Sequence, residues 1–170
     1  MRPDDTSSSR DFPILISACL LGVRCRYDAG ERGCPALVRF ASSARVIPFC
    51  PEQLGGLPTP RPAANIVGGD GRDVLSGKAK LINARGDEVT DAFLRGARES
   101  LKLARLTGAK RAVLKDKSPS CGLKTPHCES PTGSGLGVTA ALFILNGLKV
   151  IDIKPESDFP PPGFMEFLGH

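Results

Sequence analysis

Ile14-Leu15-Ile16-Ser17-Ala18-Cys19 is an apolar run that ends on a cysteine. It is short, and two of its residues are β-branched, so it predicts a buried strand over residues 14–18. The pattern recurs along the chain. Arg45 to Phe49 reads as a second strand and is followed by Cys50. Ala112 to Lys115 reads as a third, with Cys121 a few residues on, and Lys149 to Ile153 as a fourth. Helix-like segments lie between these runs. Pro35 to Ser43 offers Leu37, Val38 and Phe40 for burial. Thr90 to about Thr107 has Thr90 as its cap, Gly108 as its stop, and Phe93, Ala97, Leu101 and Ala104 along one face. Gly137 to Asn146 is apolar and is opened by Gly133, Gly135 and Gly137. Apolar strands alternating with helices predict an α/β fold: one domain, a mostly parallel sheet with flanking helices, Rossmann-like in plan. Ala79 to Asn83 and Glu88 to Val89 flank Ala84-Arg85-Gly86-Asp87, which predicts a β-hairpin insertion. The Pro/Gly-rich stretch from Pro51 to Gly71 reads as irregular.

A chain of 170 residues fits one domain and can bury a core without disulfides. Residues 1–12 read as a flexible leader, 13–154 as the domain and 155–170 as a Pro-rich tail. The hydrophobic share of 41% and the charged share of 24% exclude a disordered or collagen-like chain. Eight Phe, one Tyr and no Trp supply a stacking platform for single-stranded nucleic acid poorly. A net charge of +5 suits an anionic small molecule or a loose RNA contact, and solubility accounts for it equally well. The longest apolar run, Val138 to Leu145, is far below the ~20 residues that span a bilayer. Met1 to Asp11 carries no apolar signal core, so the expected location is cytoplasmic and the thiols are expected to stay reduced.

Six cysteines in a reduced chain then need another role. Cys19 ends the first predicted strand, Cys50 ends the second, and Cys121 follows the third. Open α/β sheets bind ligands at the carboxyl ends of their strands, so these three can converge. Successive cysteines are 6, 9, 16, 71 and 7 residues apart, which leaves no Cys-x-x-Cys pair and no common zinc-ribbon spacing. Zinc held by Cys121, His127, Cys128 and Cys34 is one reading of the set. Another is an iron–sulfur cluster on three thiolates, with one iron left open. Plain packing of buried thiols is the third.

Two polar groups share these loops. Glu52 lies two residues past Cys50, and Ser118 opens Ser118-Pro119-Ser120-Cys121-Gly122. Near a metal, a carboxylate can act as a base or proton shuttle, and a hydroxyl can donate or accept. On spacing alone, a loop carboxylate and a turn serine explain them as well. Gly71 to Lys78 resembles a phosphate loop but has five residues, not four, between its glycines. Gly133 to Gly137 misses the dinucleotide fingerprint at Val138, though its amides could meet an anion at a helix start. Arg24, Arg26, Arg61 and Lys115 could steer a polar substrate or simply be solvated.

Taken in order, several motifs resemble the thiouracil desulfidase family. They are Ser17-Ala18-Cys19-Leu20-Leu21-Gly22, Cys25-Arg26-Tyr27-Asp28, Cys50-Pro51-Glu52, Gly55-Gly56-Leu57-Pro58-Thr59-Pro60-Arg61, and Lys115 with Ser118 to Gly122. The resemblance spans roughly Ile14 to Ile153. It implies a 4Fe-4S cluster held by Cys19, Cys50 and Cys121, with one iron free to take sulfur from a thiolated nucleobase. It also implies Glu52 and Ser118 as the catalytic pair. The implied reaction is non-redox desulfuration of a thiobase such as 2-thiouracil to the carbonyl base and sulfide. The implied partner is that small molecule, without nucleic acid or membrane. Cys25 reads as structural. Ala29 stands where the family pattern leads one to expect glycine, and Leu123 to Pro131 carries an extra His127-Cys128. The competing classes are a zinc-stabilised binding module and a cluster-dependent tRNA sulfur-transfer enzyme.

Overall fold

The computed structural model describes residues 12–156 and 158–169, so the leader expected at 1–12 lies almost wholly outside the described residues. Four strands, β1 (Ile14–Ser17), β2 (Val46–Phe49), β5 (Arg111–Lys115) and β6 (Lys149–Ile153), form a parallel sheet in the order β2-β1-β5-β6. Ile14 pairs with both Val46 and Arg111, which fixes the central register. Every residue of β1 is buried, as expected of a parallel strand covered on both faces.

Side chains alternate along β1 and β5 to make two cores. Leu15, Ala112 and Leu114 face one way, with Leu101 and Ala104 of α4 (Thr90–Thr107) and Ala140 and Phe143 of α5 (Val138–Leu145). Ile14, Ile16 and Val113 face the other, with Leu37 of α1 (Pro35–Ala41). The helix after β1 and the helix after β5 therefore cover opposite faces. Between β1 and β5 the chain reverses its direction of winding, and the cleft at their carboxyl ends is the expected ligand site.

Three short elements depart from the sequence reading. Pro51 to Gly71 contains helix α2 (Pro51–Leu54) and strand β3 (Ala64–Val67). Strand β3 pairs antiparallel with β4 (Lys80–Asn83), and the expected turn after β4 forms as well, with Asn83 N donating to Asp87 O and Val89 N to Leu81 O, both at 2.9 Å, and Glu88 bridging Ile82. Ile66 and Leu81 drive this pairing by burying against Val74, Phe93 and Ala97. The Pro-rich segment carries α6 (Phe164–Leu168), whose Phe164 and Phe167 complete the second core. Thr90 is the first residue of α4 and does not cap it: its hydroxyl accepts from Leu81 N at 3.0 Å and donates to Glu88 at 3.1 Å, so it ties the helix to β4. No helix among the described residues is long and apolar enough to cross a membrane.

Helices α2 and α4 touch through glycine. A Cβ on Gly96 would sit 1.9 Å from Pro51 O, and one on Gly55 would sit 2.0 Å from Ala92 O. Backbone, not a flexible side chain, blocks both positions. Gly96→Ala is expected to lower stability by about 1–3 kcal/mol through forced separation of the helices. Urea denaturation checks this. The same variant should perturb Cys50 and Glu52, which ride on α2.

Candidate active site at the carboxyl ends of the strands

Three loops leave the sheet at the switch point. The first follows β1 as a short 3-10 turn, Ala18–Leu21, which presents Cys19. The second follows β2, where Cys50 takes the position just before α2 with Pro51 as the first helical residue. That start places Glu52 in the first turn. The third follows β5 and bears Ser118 and Cys121.

The third loop is held by α5. Gly137 N donates to Gly122 O at 2.8 Å, Val138 N to Pro119 O at 2.9 Å, and Thr139 N to Ser120 O at 2.8 Å. The amides that every helix leaves unpaired at its start are thus satisfied by the cysteine loop itself. A Cβ on Gly137 would lie 2.5 Å from Ser120 O, so this close approach requires glycine. The glycine run therefore packs backbone on backbone, and the amides of Gly133, Gly135 and Gly137 donate to backbone carbonyls. The phosphate-loop look-alike is filled too: Asp70 accepts from Arg72 N at 2.8 Å at the start of α3 (Gly71–Leu75).

All five residues expected at the site, Cys19, Cys50, Cys121, Glu52 and Ser118, line one cavity of about 290 Å³. Lys115, Arg26, Arg61 and His127 line it as well, while Arg24 does not and pairs with Glu31 on the surface. The four residues of the zinc reading do not form one site, since Cys121 and His127 line the cavity and Cys34 and Cys128 do not. Cys34 packs in the second core, and Cys128 donates to Thr125 O at 3.3 Å beside the third. Among the described residues no three His, Cys, Asp or Glu side chains converge on a single metal ion. Thiolates on separate iron corners of a cluster need no such convergence.

The thiols are mutually engaged. Cys25 is 1% exposed and lines the cavity with Cys19 and Cys50, and Cys50 Sγ donates to its backbone O at 3.7 Å. The Cys19 thiol beside it is the chief cause that pushes its pKa up to about 11. The Cys25 thiol, followed by burial, raises Cys50 as well. Burial pushes Cys121 up to about 12, against the pull of the Ser17 hydroxyl. Ser17 Oγ also accepts from Lys115 N at 3.0 Å, which joins the ends of β1 and β5 below the thiols. Cys25 thus belongs to the thiol group, beyond the structural role read from sequence.

Glu52 is oriented by Arg61, whose Nε donates to Oε2 at 2.6 Å. Arg61 is buried and also donates to Cys25 O at 3.0 Å and to Pro58 O and Thr59 Oγ1 at 3.2 Å. One guanidinium thus joins the Cys25 turn, the Pro58-Thr59 loop and the carboxylate, and leaves Glu52 Oε1 for the cavity. Ser118 Oγ accepts from Ser120 N and Cys121 N, both at 3.1 Å. Its acceptor capacity is spent on the turn, and its hydrogen remains to be donated. Lys115 Nζ is paired with Asp116, and Arg26 with Asp28 at 3.0 Å.

The model of the 2-thiouracil desulfurase family matches residues 14–154. The chain belongs to the 2-thiouracil desulfurase family. It is 40% identical over 148 residues to "Uncharacterized protein YbbK" of Bacillus subtilis (strain 168), covering 85% of this chain and 98% of that protein. Among solved structures it is similar to the 4Fe-4S-dependent thiouracil desulfidase TudS, with a TM-score of 0.73 and 34% identity over 92% of this chain and 99% of the other. Family membership accords with the switch-point cavity and with the motifs around Cys19, Cys50 and Cys121. From sequence Arg61 was a candidate to steer a polar substrate or a solvated charge; its pairing with Glu52 was not foreseen.

Proposed function

We propose that this chain removes sulfur from the thiocarbonyl of a thiolated nucleobase such as 2-thiouracil, giving the carbonyl base and sulfide without net redox change. The observation that carries the reading is the meeting of Cys19, Cys50, Cys121, Glu52 and Ser118 on one cavity. The donor set fits a 4Fe-4S cluster, since it offers thiol sulfur from three separate loops and keeps one side open to the cavity. Cys19, Cys50 and Cys121 would hold the cluster, which supplies a Lewis-acidic iron with one position not taken by protein.

The chain's own residues handle the protons. Water attacks the thiocarbonyl carbon; a C–O bond forms, the C–S bond breaks, and sulfur leaves as sulfide. Glu52 Oε1 takes a proton from that water while Arg61 holds Oε2. Ser118 donates its hydroxyl hydrogen towards the reacting group, because two backbone amides already occupy its oxygen. Reduced thiols suit the cytoplasm, where we place the protein.

Protein reconstituted without oxygen is expected to convert 2-thiouracil to uracil and sulfide in equal amounts, with no nucleotide, reductant or sulfur acceptor. Liquid chromatography and a sulfide assay measure this. A strict need for ATP or an electron donor would assign the protein to sulfur transfer or redox chemistry instead.

A further inference from the structure

His127 stands in the loop between Cys121 and α5, and nothing in the desulfuration scheme uses it. It lines the same cavity as Cys19, Cys50, Cys121, Glu52 and Ser118. A histidine on a surface loop would ordinarily be solvated and mobile. This one is fixed at three points. Its amide donates to Thr125 Oγ1 at 3.1 Å, and its carbonyl accepts from Ile66 N of β3 at 2.9 Å. Its ring Nδ1 meets Asn65 Oδ1 at 3.2 Å. The anchors are themselves firm: Thr125 is fully buried and bonds twice with Gly135, at 2.7 and 3.0 Å, while Glu129 N donates to Ile66 O at 3.1 Å.

The Asn65 contact favours one tautomer. With the amide oxygen facing the ring, as it is here, Nδ1 is the donor, because a carbonyl oxygen only accepts. In the neutral ring Nε2 then holds a lone pair and acts as an acceptor. A 2-thiouracil ring presents N–H donors on both sides of its thiocarbonyl carbon. We propose that His127 is a substrate-reading residue: Nε2 accepts a hydrogen bond from a ring N–H beside the thiocarbonyl, and Asn65 positions it by holding the proton on Nδ1. This rests on the thiobase reading of the cavity and deepens it. The site selects lactam-type thiobases with a free N–H and disfavours bases methylated there.

The test uses anaerobically reconstituted protein with 2-thiouracil and its two ring N-methyl isomers. One hydrogen bond is worth about tenfold in KM. Wild type should show a KM about tenfold higher for one methyl isomer than for the parent, with kcat within about twofold. His127→Ala should raise the parent KM by about the same factor and abolish the discrimination between parent and isomer. His127→Gln, which retains an acceptor oxygen, should restore part of the discrimination. Long-range ¹H–¹⁵N spectra of the protein should place the ring proton on Nδ1 in wild type, and Asn65→Ala should release that preference. If His127→Ala turns over thiouracil with an unchanged KM ratio, or if the proton sits on Nε2, the assignment to His127 falls and the desulfidase reading stands. If wild type turns over none of the three compounds, both fall together.

Discussion

Replacing Cys19, Cys50 or Cys121 with alanine is expected to give colourless protein with no measurable desulfuration. Wild type prepared without oxygen should be brown, with about four irons per chain. The three thiols come from three loops, so losing any one of them removes the hold of a whole loop on the cluster. Cys34→Ala and Cys128→Ala should keep the colour. Cys34 is 2% exposed within the second core, and Cys128 is bonded to Thr125 O away from the cavity thiols. Cys25→Ala discriminates further. It removes a buried thiol beside two proposed ligands without removing a ligand, so colour should form and bleach faster in air. Iron analysis and the visible absorption spectrum read all six variants. A zinc-loaded, colourless wild type would overturn the ligand assignment.

Glu52→Gln is expected to keep the absorption spectrum and lower turnover by roughly 10²–10⁴-fold, the usual contribution of a positioned base or shuttle. The Arg61 pair shapes this experiment. The glutamine oxygen can still accept from Arg61 Nε, so the guanidinium keeps a partner, and it retains its bonds to Cys25, Pro58 and Thr59. Removing the carboxylate altogether, as in Glu52→Ala, would strip a buried cation of its counter-ion at about 3–5 kcal/mol and confuse folding with catalysis. Melting temperatures measured beside the rates separate the two effects. Loss of the chromophore in Glu52→Gln would make Glu52 a structural residue. An unchanged rate would move the base to Asp116, the other cavity-lining carboxylate, which is paired with Lys115.

The fold was legible where one segment alone carried enough signal. Strands β1 and β5 are apolar runs buried in a parallel sheet, β6 carries Val150, Ile151 and Ile153 along its edge, and α4 shows its buried face through Phe93, Ala97, Leu101 and Ala104. The short elements within the Pro/Gly-rich stretch and the Pro-rich tail were not legible. Helix α2 is a single turn held by the glycine contacts to α4, and β3 exists because Ile66 finds a core made by α3 and α4. Helix α6 depends on its Phe164 meeting Phe40 at 5.3 Å between ring centroids. Such segments cannot repay their own ordering entropy, so their local composition says little about them. Pro51 directly after Cys50 was the one available sign, since proline favours the first helical position.

By itself the sequence determined the parallel α/β plan, the order of the main elements and the placement of Cys19, Cys50 and Cys121 just past three strands. Each of these is local: an apolar run, a helical period, a residue a few positions on. Tertiary structure alone decided the rest of the site. Arg61 reaches Glu52 across nine residues, Cys25 joins two thiols from different loops, and His127 meets Asn65 from 62 residues away. The glycine run turned out to clamp the Cys121 loop because the α5 amides needed carbonyl partners and the loop supplied them. These are pairings between side chains or backbones that become neighbours only when the sheet closes, and no spacing along the chain encodes them.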